Sequence, residues 1–491
     1  MKNSESNSSQ ALWLSIGQFS TFVISFLSAA ILSRYLDKTE YGTYKQILYV
    51  YVTLQSLFTM GLPNVFSYFI PRLEIGQQKT FINSMNTIFL IIGAIFSITL
   101  FLFSDLIADI LKNEELSIGL KLFSPFPLFT LPTMGVEAIY TAIRRTKTIA
   151  IYQLVSRILM VICIVLPVII IDNNYRIAII GWGLASFITF LFAIYLKKKP
   201  YINVSKEHIE NLNKQIFKYS TPLLGAFIFG FIISFADQFF ISRYYGTKVF
   251  ADYSNGCLSI PIAVMITSSV KNVLLPYISR ADHNGELSSA MISYKNAIKK
   301  SSLLVFPILT FCFVFSTDIM IFLYGEQYDT SSLYLKSYII RDFIAILPYF
   351  SVLMALNMSK TYMYMHIYGA IYIWILDWLS VSINLPPYTI VLIRSSFYLF
   401  SSIYAYISIY RKSKIKLISK EIIKDLSKIL FICLISGYAS RLICTHIGTL
   451  GLLLSLIVSF IIYCILLFIQ SKIIKVNFLE PIYVLLNRKQ K

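Results

Sequence analysis

The chain is expected to be an all-α polytopic membrane protein with about fourteen transmembrane helices, arranged as two six-helix lobes in parallel repeat plus two C-terminal helices. Three observations predict this. Of 491 residues, 57% are apolar and 15% aromatic, only 14% are charged, and the mean hydropathy is +0.69, which does not describe a soluble core. Apolar runs recur along the whole chain, each long enough to cross about 30 Å of hydrocarbon. The segment Leu32 to Tyr44 also returns as Ile241 to Tyr253, and Phe69-Ile-Pro-Arg72 returns as Tyr277-Ile-Ser-Arg280. An internal repeat of two membrane bundles is the layout of a transporter.

The expected spans cover residues 11–36, 43–70, 82–111, 117–144, 150–171 and 176–197 in the first lobe. They cover 216–243, 250–279, 297–324, 334–357, 361–383 and 386–410 in the second, and 424–446 and 449–470 at the end. The domain boundaries follow: a lobe over 1–197, a polar linker over 198–215, a lobe over 216–410, a basic linker with two helices over 411–470, and a tail over 471–491. Links 2-3, 4-5, 6-7, 8-9, 10-11 and 12-13 carry most of the Lys and Arg, including Lys79, Arg144, Lys198, Lys206, Lys300 and Arg411. By the positive-inside rule both termini are cytoplasmic. Link 411–424 reads as a basic amphipathic stretch, with a topogenic anchor as its simpler reading. The polar start of the chain leads into span 1 with no signal-peptide cleavage pattern, so the first helix is expected to remain.

The net charge of +19 does not point to nucleic acid, because the cations sit in short links between apolar runs. The six cysteines all fall in apolar segments without a C-x-x-C pair, as small packing residues do. The four histidines lack metal-ligand spacing, so neither a metal nor a cofactor is expected. No Walker sequence, G-x-S-x-G or H-E-x-x-H is present, and no outer link is long enough to house a catalytic domain. The chain reads as a transporter, not an enzyme.

The run Ala30 to Tyr44, then Met60-Gly-Leu-Pro-Asn64 and Phe69-Ile-Pro-Arg72, resembles the start of polysaccharide flippases of the Wzx/PST type. These belong to the multidrug/oligosaccharidyl-lipid/polysaccharide (MOP) exporter superfamily. The resemblance implies translocation of an undecaprenyl-diphosphate-linked oligosaccharide from the cytoplasmic to the outer leaflet of a bacterial inner membrane, for O-antigen, capsule or a related glycan. It implies as partners the lipid-linked substrate, the bilayer, and the polymerase and chain-length proteins of such a pathway. It also implies that spans 1, 2, 7 and 8 line a central cleft, which favours Arg34, Lys45, Arg243 and Lys271 as substrate contacts.

Moving a diphosphate through hydrocarbon is costly unless cations meet it. Lys271, with no carboxylate at matching depth in spans 7 or 9, is the leading candidate, against the alternative that it snorkels to the interface. Arg34 and its repeat mate Arg243 read equally as interfacial anchors. Arg72 and Arg280, at the inner ends of spans 2 and 8, are placed to receive the diphosphate or simply to orient the chain. Asp237 is the acid left in a lining helix, as a H⁺ or Na⁺ coupling site or a partner to an arginine. Depth counting pairs Glu137 with Arg157, and Asp377 with Arg394, as structural ion pairs, with Arg341 and Asp342 near the second pair. Gln46 and Gln55 add polar groups to the lining helices, which more often join helices than touch ligand. Pro63 and Pro261 are expected to kink spans 2 and 8 as pivots of alternating access, and Pro132, Pro222, Pro307 and Pro348 fall inside other spans.

Two relatives of the same fold compete. A cation-coupled multidrug exporter commonly needs a carboxylate in its first helix, and residues 11–36 contain none. A lipid II flippase fits a cationic cavity equally well, but the N-terminal run is closer to the polysaccharide branch. A membrane glycan polymerase is disfavoured by the short outer links.

Overall fold

The computed structural model describes residues 7–59, 61–414, 416–446, 451–474, 476–478 and 480, apart from the side chains of 7, 8, 11, 218–227 and 229. All regular structure among them is helical. Two compact units divide between Ala251 and Asp252.

In the first unit, α1 (Asn7–Tyr35) and α2 (Lys38–Thr59) meet at a tight break. Asp37 makes that break by accepting the amides of Thr39 (2.7 Å) and Glu40 (2.9 Å) on one carboxylate oxygen, an N-cap of α2. The repeat aligns Asp37 with Gly246, and α12 (Leu212–Gly256) leaves helical geometry at Gly246, with φ 84°. Both copies therefore break at one position, by a capping carboxylate in one and by glycine's access to positive φ in the other.

Several of the remaining spans of this unit are interrupted at a proline. Span 2 ends at Thr59 and resumes as α3 (Pro63–Phe69), so Pro63 opens a helix instead of kinking one. After α4 (Ile75–Leu102) the chain re-enters helix as α5 (Ser104–Leu111). Span 4 becomes α6 (Glu114–Phe123), α7 (Phe126–Thr130) and α8 (Val136–Ala142), with Pro132 in a 3₁₀ turn between the last two. Span 5 is α9 (Thr146–Met160), a π-turn over Val161–Val165, and α10 (Leu166–Ile170). Pro167 offers no amide to the Cys163 carbonyl, and the ladder widens there. Span 6 is the continuous α11 (Tyr175–Lys198). An aromatic cluster fills the space between α2, α4, α6, α7 and α11. Tyr51 stacks on Phe96 and meets Phe126 edge-on at 4.7 Å, and Trp182 closes on Phe126 at 5.3 Å.

In the second unit, α13 (Pro261–His283) begins at Pro261, so that proline too starts a helix. It is followed by α14 (Leu287–Val314), α15 (Ser316–Tyr324), α16 (Ser331–Ala345), α17 (Tyr349–Ala355), α18 (Ser359–Ser382) and α19 (Tyr388–Ser413). The final pair is α20 (Lys420–His446) and α21 (Leu452–Ile474). The core joins α13, α14, α17, α18 and α19 through Leu274, Ile298, Leu353, Met365 and Ala405. The hydroxyls of Tyr294 and Tyr406 satisfy each other in it at 2.6 Å. In the basic link, α19 runs to Ser413, Lys414 caps it in left-handed geometry, and Lys412 is drawn onto the Leu356 carbonyl. Most of the tail expected over 471–491 lies outside the described residues.

Among the described residues, ten helical stretches are long and apolar enough to span a membrane. They match expected spans 1, 3, 5, 6, 8, 9, 10, 12, 13 and 14. Span 2 falls short because α2 carries Lys, Tyr, Thr and Gln along its length, span 4 because it is broken, and span 11 because α18 is rich in Tyr and Trp. Span 7 lies within α12, part of whose side chains is not described.

A polar cluster joins α5, α6 and α11. Asp105 accepts from Lys121 at 2.8 Å and from Ser117, while Glu115 accepts from Arg176 (2.8 Å) and the Tyr175 hydroxyl (2.9 Å). Arg176, then the Tyr175 hydroxyl, hold the Glu115 carboxyl below its ordinary 4.5. A depressed carboxylate stabilises the fold above the unfolded value and loses that contribution as pH falls through the folded one. Glu115→Gln should therefore flatten the fall in melting temperature between pH 6 and pH 3 in detergent. Parallel curves for the two proteins would refute the assignment.

Candidate functional site: buried cations in each unit

In the first unit the two copies of the repeated segment meet. A Cβ on Gly42 would lie 2.1 Å from the Thr247 carbonyl oxygen, so α2 crosses the chain just beyond the Gly246 break at a distance only glycine permits. Four residues on, buried Gln46 donates to Ser242 Oγ at 2.7 Å and accepts from Asn113 Nδ2 at 2.6 Å. Gln46 is thus a helix-joining residue. Gln55, by contrast, stays within its own helix, donating to the Tyr51 hydroxyl at 2.8 Å.

The same crossing orients Lys45, which is half-buried with its ammonium 5.2 Å from the Tyr41 ring. Lys45 lines a cavity of about 200 Å³ between α1, α2, α9 and α11, and Arg157 lines it from the other side. Arg157 and Met160 also border a second cavity of about 250 Å³, walled by Thr21, Thr130, Tyr152, Gln153 and Thr189. No carboxylate lines either one. Thr21 Oγ1, Gln153 Oε1 and Thr189 Oγ1 are buried there without a protein partner, which leaves them for water or a polar ligand. This corrects the expected Glu137–Arg157 pair. Glu137 is exposed on α8, and the Arg157 guanidinium turns instead to Met160 Sδ at 3.5 Å and to the cavities. Equal depth on neighbouring helices did not mean a shared face.

The other candidates of this unit are dispersed. Arg34 is exposed in the last turn of α1. Arg72 is exposed, stacked 3.9 Å from the Tyr68 ring with a hydrogen bond to the Tyr68 carbonyl. Arg243 donates to the Ile110 carbonyl. Asp237 is buried on α12, within electrostatic reach of Tyr49.

In the second unit, half-buried Lys271 on α13 lies within electrostatic reach of Arg341 and Asp342 on α16. The break before Pro348 lets α17 pack on α13, where Ser351 Oγ donates to the Lys271 carbonyl at 3.1 Å. The carboxylate near Lys271 therefore comes from span 10, not from spans 7 or 9. Arg341 and Asp342 form a buried pair at 2.6 Å, and the guanidinium lies 3.6 Å from the Tyr338 ring. Asp342 Oδ2 has no protein hydrogen-bond partner. Two cations against one carboxylate leave this cluster positive. Asp377 is fully buried on α18, Arg394 lies on the adjoining α19, and Arg280 is exposed near the end of α13.

Lys197 is a functional candidate that charge counting misses, since it reads as one of three lysines at a helix end. It is fully buried, donating to Asn86 Oδ1 (2.9 Å) and the Pro132 carbonyl (2.7 Å), with the Phe66 ring 5.0 Å away. A signal was available: Gly181, Ala185, Thr189, Ala193 and Lys197 recur every fourth residue, the small-residue face on which membrane helices pack. Among the described residues no group of His, Cys, Asp and Glu could hold a metal.

The helical fold has solved counterparts. The structure matches "Lipid II flippase MurJ, inward closed conformation" with a TM-score of 0.70 at 17% identity, covering 94% of this chain and 99% of that one. It matches an inward-facing multidrug resistance MATE family transporter of the MOP superfamily with a TM-score of 0.55 at 12% identity, covering 82% and 99%. A MOP superfamily transporter from Pyrococcus furiosus, with a binding pocket described as of reverse polarity, matches with a TM-score of 0.53 at 11% identity over 82% and 94%. The fold is thus that of the MurJ and MATE transporters. Residues 31–333 match the family described as polysaccharide biosynthesis protein, and the chain belongs to that family. A search of curated proteins finds no match.

Proposed function

We propose that the protein is a flippase that carries an undecaprenyl-diphosphate-linked oligosaccharide from the cytoplasmic to the outer leaflet of a bacterial inner membrane, by alternating access. The observation that carries this reading is membership of a polysaccharide biosynthesis family combined with a fold that extends over 94% of the chain in common with a lipid II flippase. Buried cations support it, because an anionic head group needs them inside hydrocarbon. Lys45 and Arg157 face a shared cavity without a carboxylate, and Lys271 with Arg341 outweighs Asp342. In this reading Lys271, Arg34, Arg243, Lys45, Arg72 and Arg280 meet the substrate along its path. Asp237 serves coupling to H⁺ or Na⁺. Residues 1–197 and 216–410 act as the two lobes, both termini are cytoplasmic, and the flipped glycolipid passes to a polymerase outside.

Transport of a labelled undecaprenyl-diphosphate oligosaccharide in proteoliposomes tests the proposal. Lys271→Ala and Arg34→Ala should each lower the rate about tenfold or more, the scale of one lost charge-assisted contact, while the proteins elute and melt like wild type. Failure of the wild type to move the glycolipid, with efflux of a cationic drug instead, would place the protein with the multidrug transporters.

A further inference from the structure

We propose that the first unit carries a binding site for an anionic phospholipid, in a pocket between α4 and α11 on the lysine-rich side of the membrane. The pocket encloses about 630 Å³. Lys79, Lys197, Lys198 and Lys206 line it together with Asn83 and Asn86, and no Asp or Glu does. Its far wall is apolar, made by Leu90, Phe190 and Ile194. A cationic basin beside an apolar wall matches a phosphate head group with its acyl chains laid along that wall as a track.

Lysines that only orient a chain extend into water, and these do not all do so. Lys79 donates to the Val204 carbonyl at 2.7 Å. Thr80 donates to the Glu207 carbonyl at 2.7 Å, and the Tyr201 hydroxyl to Gln78 at 2.8 Å. These contacts fold residues 199–207 back on α4 and build the outer wall. Glu207, the nearest acid of that stretch, packs against Gly76 and stays out of the lining. Lys197 forms the floor, locked between Asn86 and Pro132. The site is independent of which substrate the protein carries.

The test uses the delipidated full chain in detergent, with lipid retention read by native mass spectrometry and stability by thermal melting. Phosphatidylglycerol should bind at least tenfold tighter than phosphatidylcholine. The variant Lys79→Gln/Lys198→Gln/Lys206→Gln should lose that preference, whereas Lys414→Gln/Lys416→Gln/Lys420→Gln, at the other basic link, should keep it. Leu90→Trp, which narrows the acyl track without touching a lysine, should lower retention of both lipids, and it keeps the proposal testable if the triple variant misfolds. Equal affinity for the two lipids, or an undiminished preference in the folded triple variant, would overturn the proposal. Inorganic phosphate raising the melting temperature as much as phosphatidylglycerol would assign the pocket to a soluble anion and overturn the lipid site.

Discussion

Gly42→Val is expected to leave little folded protein, and Gly42→Ala to cost about 3 kcal/mol, the upper range for overpacking a closed interface. The added Cβ would stand 2.1 Å from the Thr247 carbonyl oxygen and 2.8 Å from its carbon. Both are backbone atoms, so no side-chain rotation relieves the clash. Separating the two segments would also stretch the Gln46–Ser242 hydrogen bond and shift Lys45 relative to its cavity. Gly183 on α11 supplies the opposite sign, because a Cβ there meets nothing within 4 Å and alanine is favoured over glycine inside a helix by about 1 kcal/mol. Thermal melting of Gly42→Ala and Gly183→Ala in the same detergent should move in opposite directions. A Gly42→Ala protein as stable as wild type would refute the close crossing.

Lys197→Ala should be the most damaging lysine substitution, at about 2 to 5 kcal/mol, the range for emptying a large buried side chain. The change removes a packed aliphatic stem and also strips Asn86 Oδ1 and the Pro132 carbonyl of their shared donor. Lys197→Met keeps the stem and loses only the donor, so it should be milder, with a penalty of about 1 to 3 kcal/mol for the unpaired acceptors. Adding Asn86→Leu to Lys197→Met should recover part of that loss, because one orphaned acceptor disappears with it. A double-mutant cycle of melting or denaturant data reads this coupling directly. Exposed Lys198 gives the reference, since its replacement should change stability by about 0.5 kcal/mol or less.

The two predictions differ in how visible they were beforehand. Gly42 lies in the repeated, family-like segment, yet nothing local says why glycine is needed there. Its reason is a carbonyl two hundred residues away. Lys197 was legible in principle, through the four-residue recurrence from Gly181 to Ala193, but a reading that sorts lysines by loop assigns it to topology. Arg157 shows the converse. Depth counting gives the level of a residue in the membrane, whereas a salt bridge also needs the helix rotation, which depends on what α9 packs against. Ser351 reaches the Lys271 carbonyl from a helix that begins only after the break at Pro348, and break positions follow from proline and glycine within a packed context more than from hydropathy.

Composition and hydropathy determined by themselves that this is an all-helical membrane protein, because burying a backbone in hydrocarbon leaves only helices for such long apolar runs. Tertiary structure alone decided where those helices break, which polar groups join them, and which cations share a cavity. Those outcomes depend on helix rotation and close approach between residues distant in the chain, and a one-dimensional pattern of apolar and charged residues carries neither.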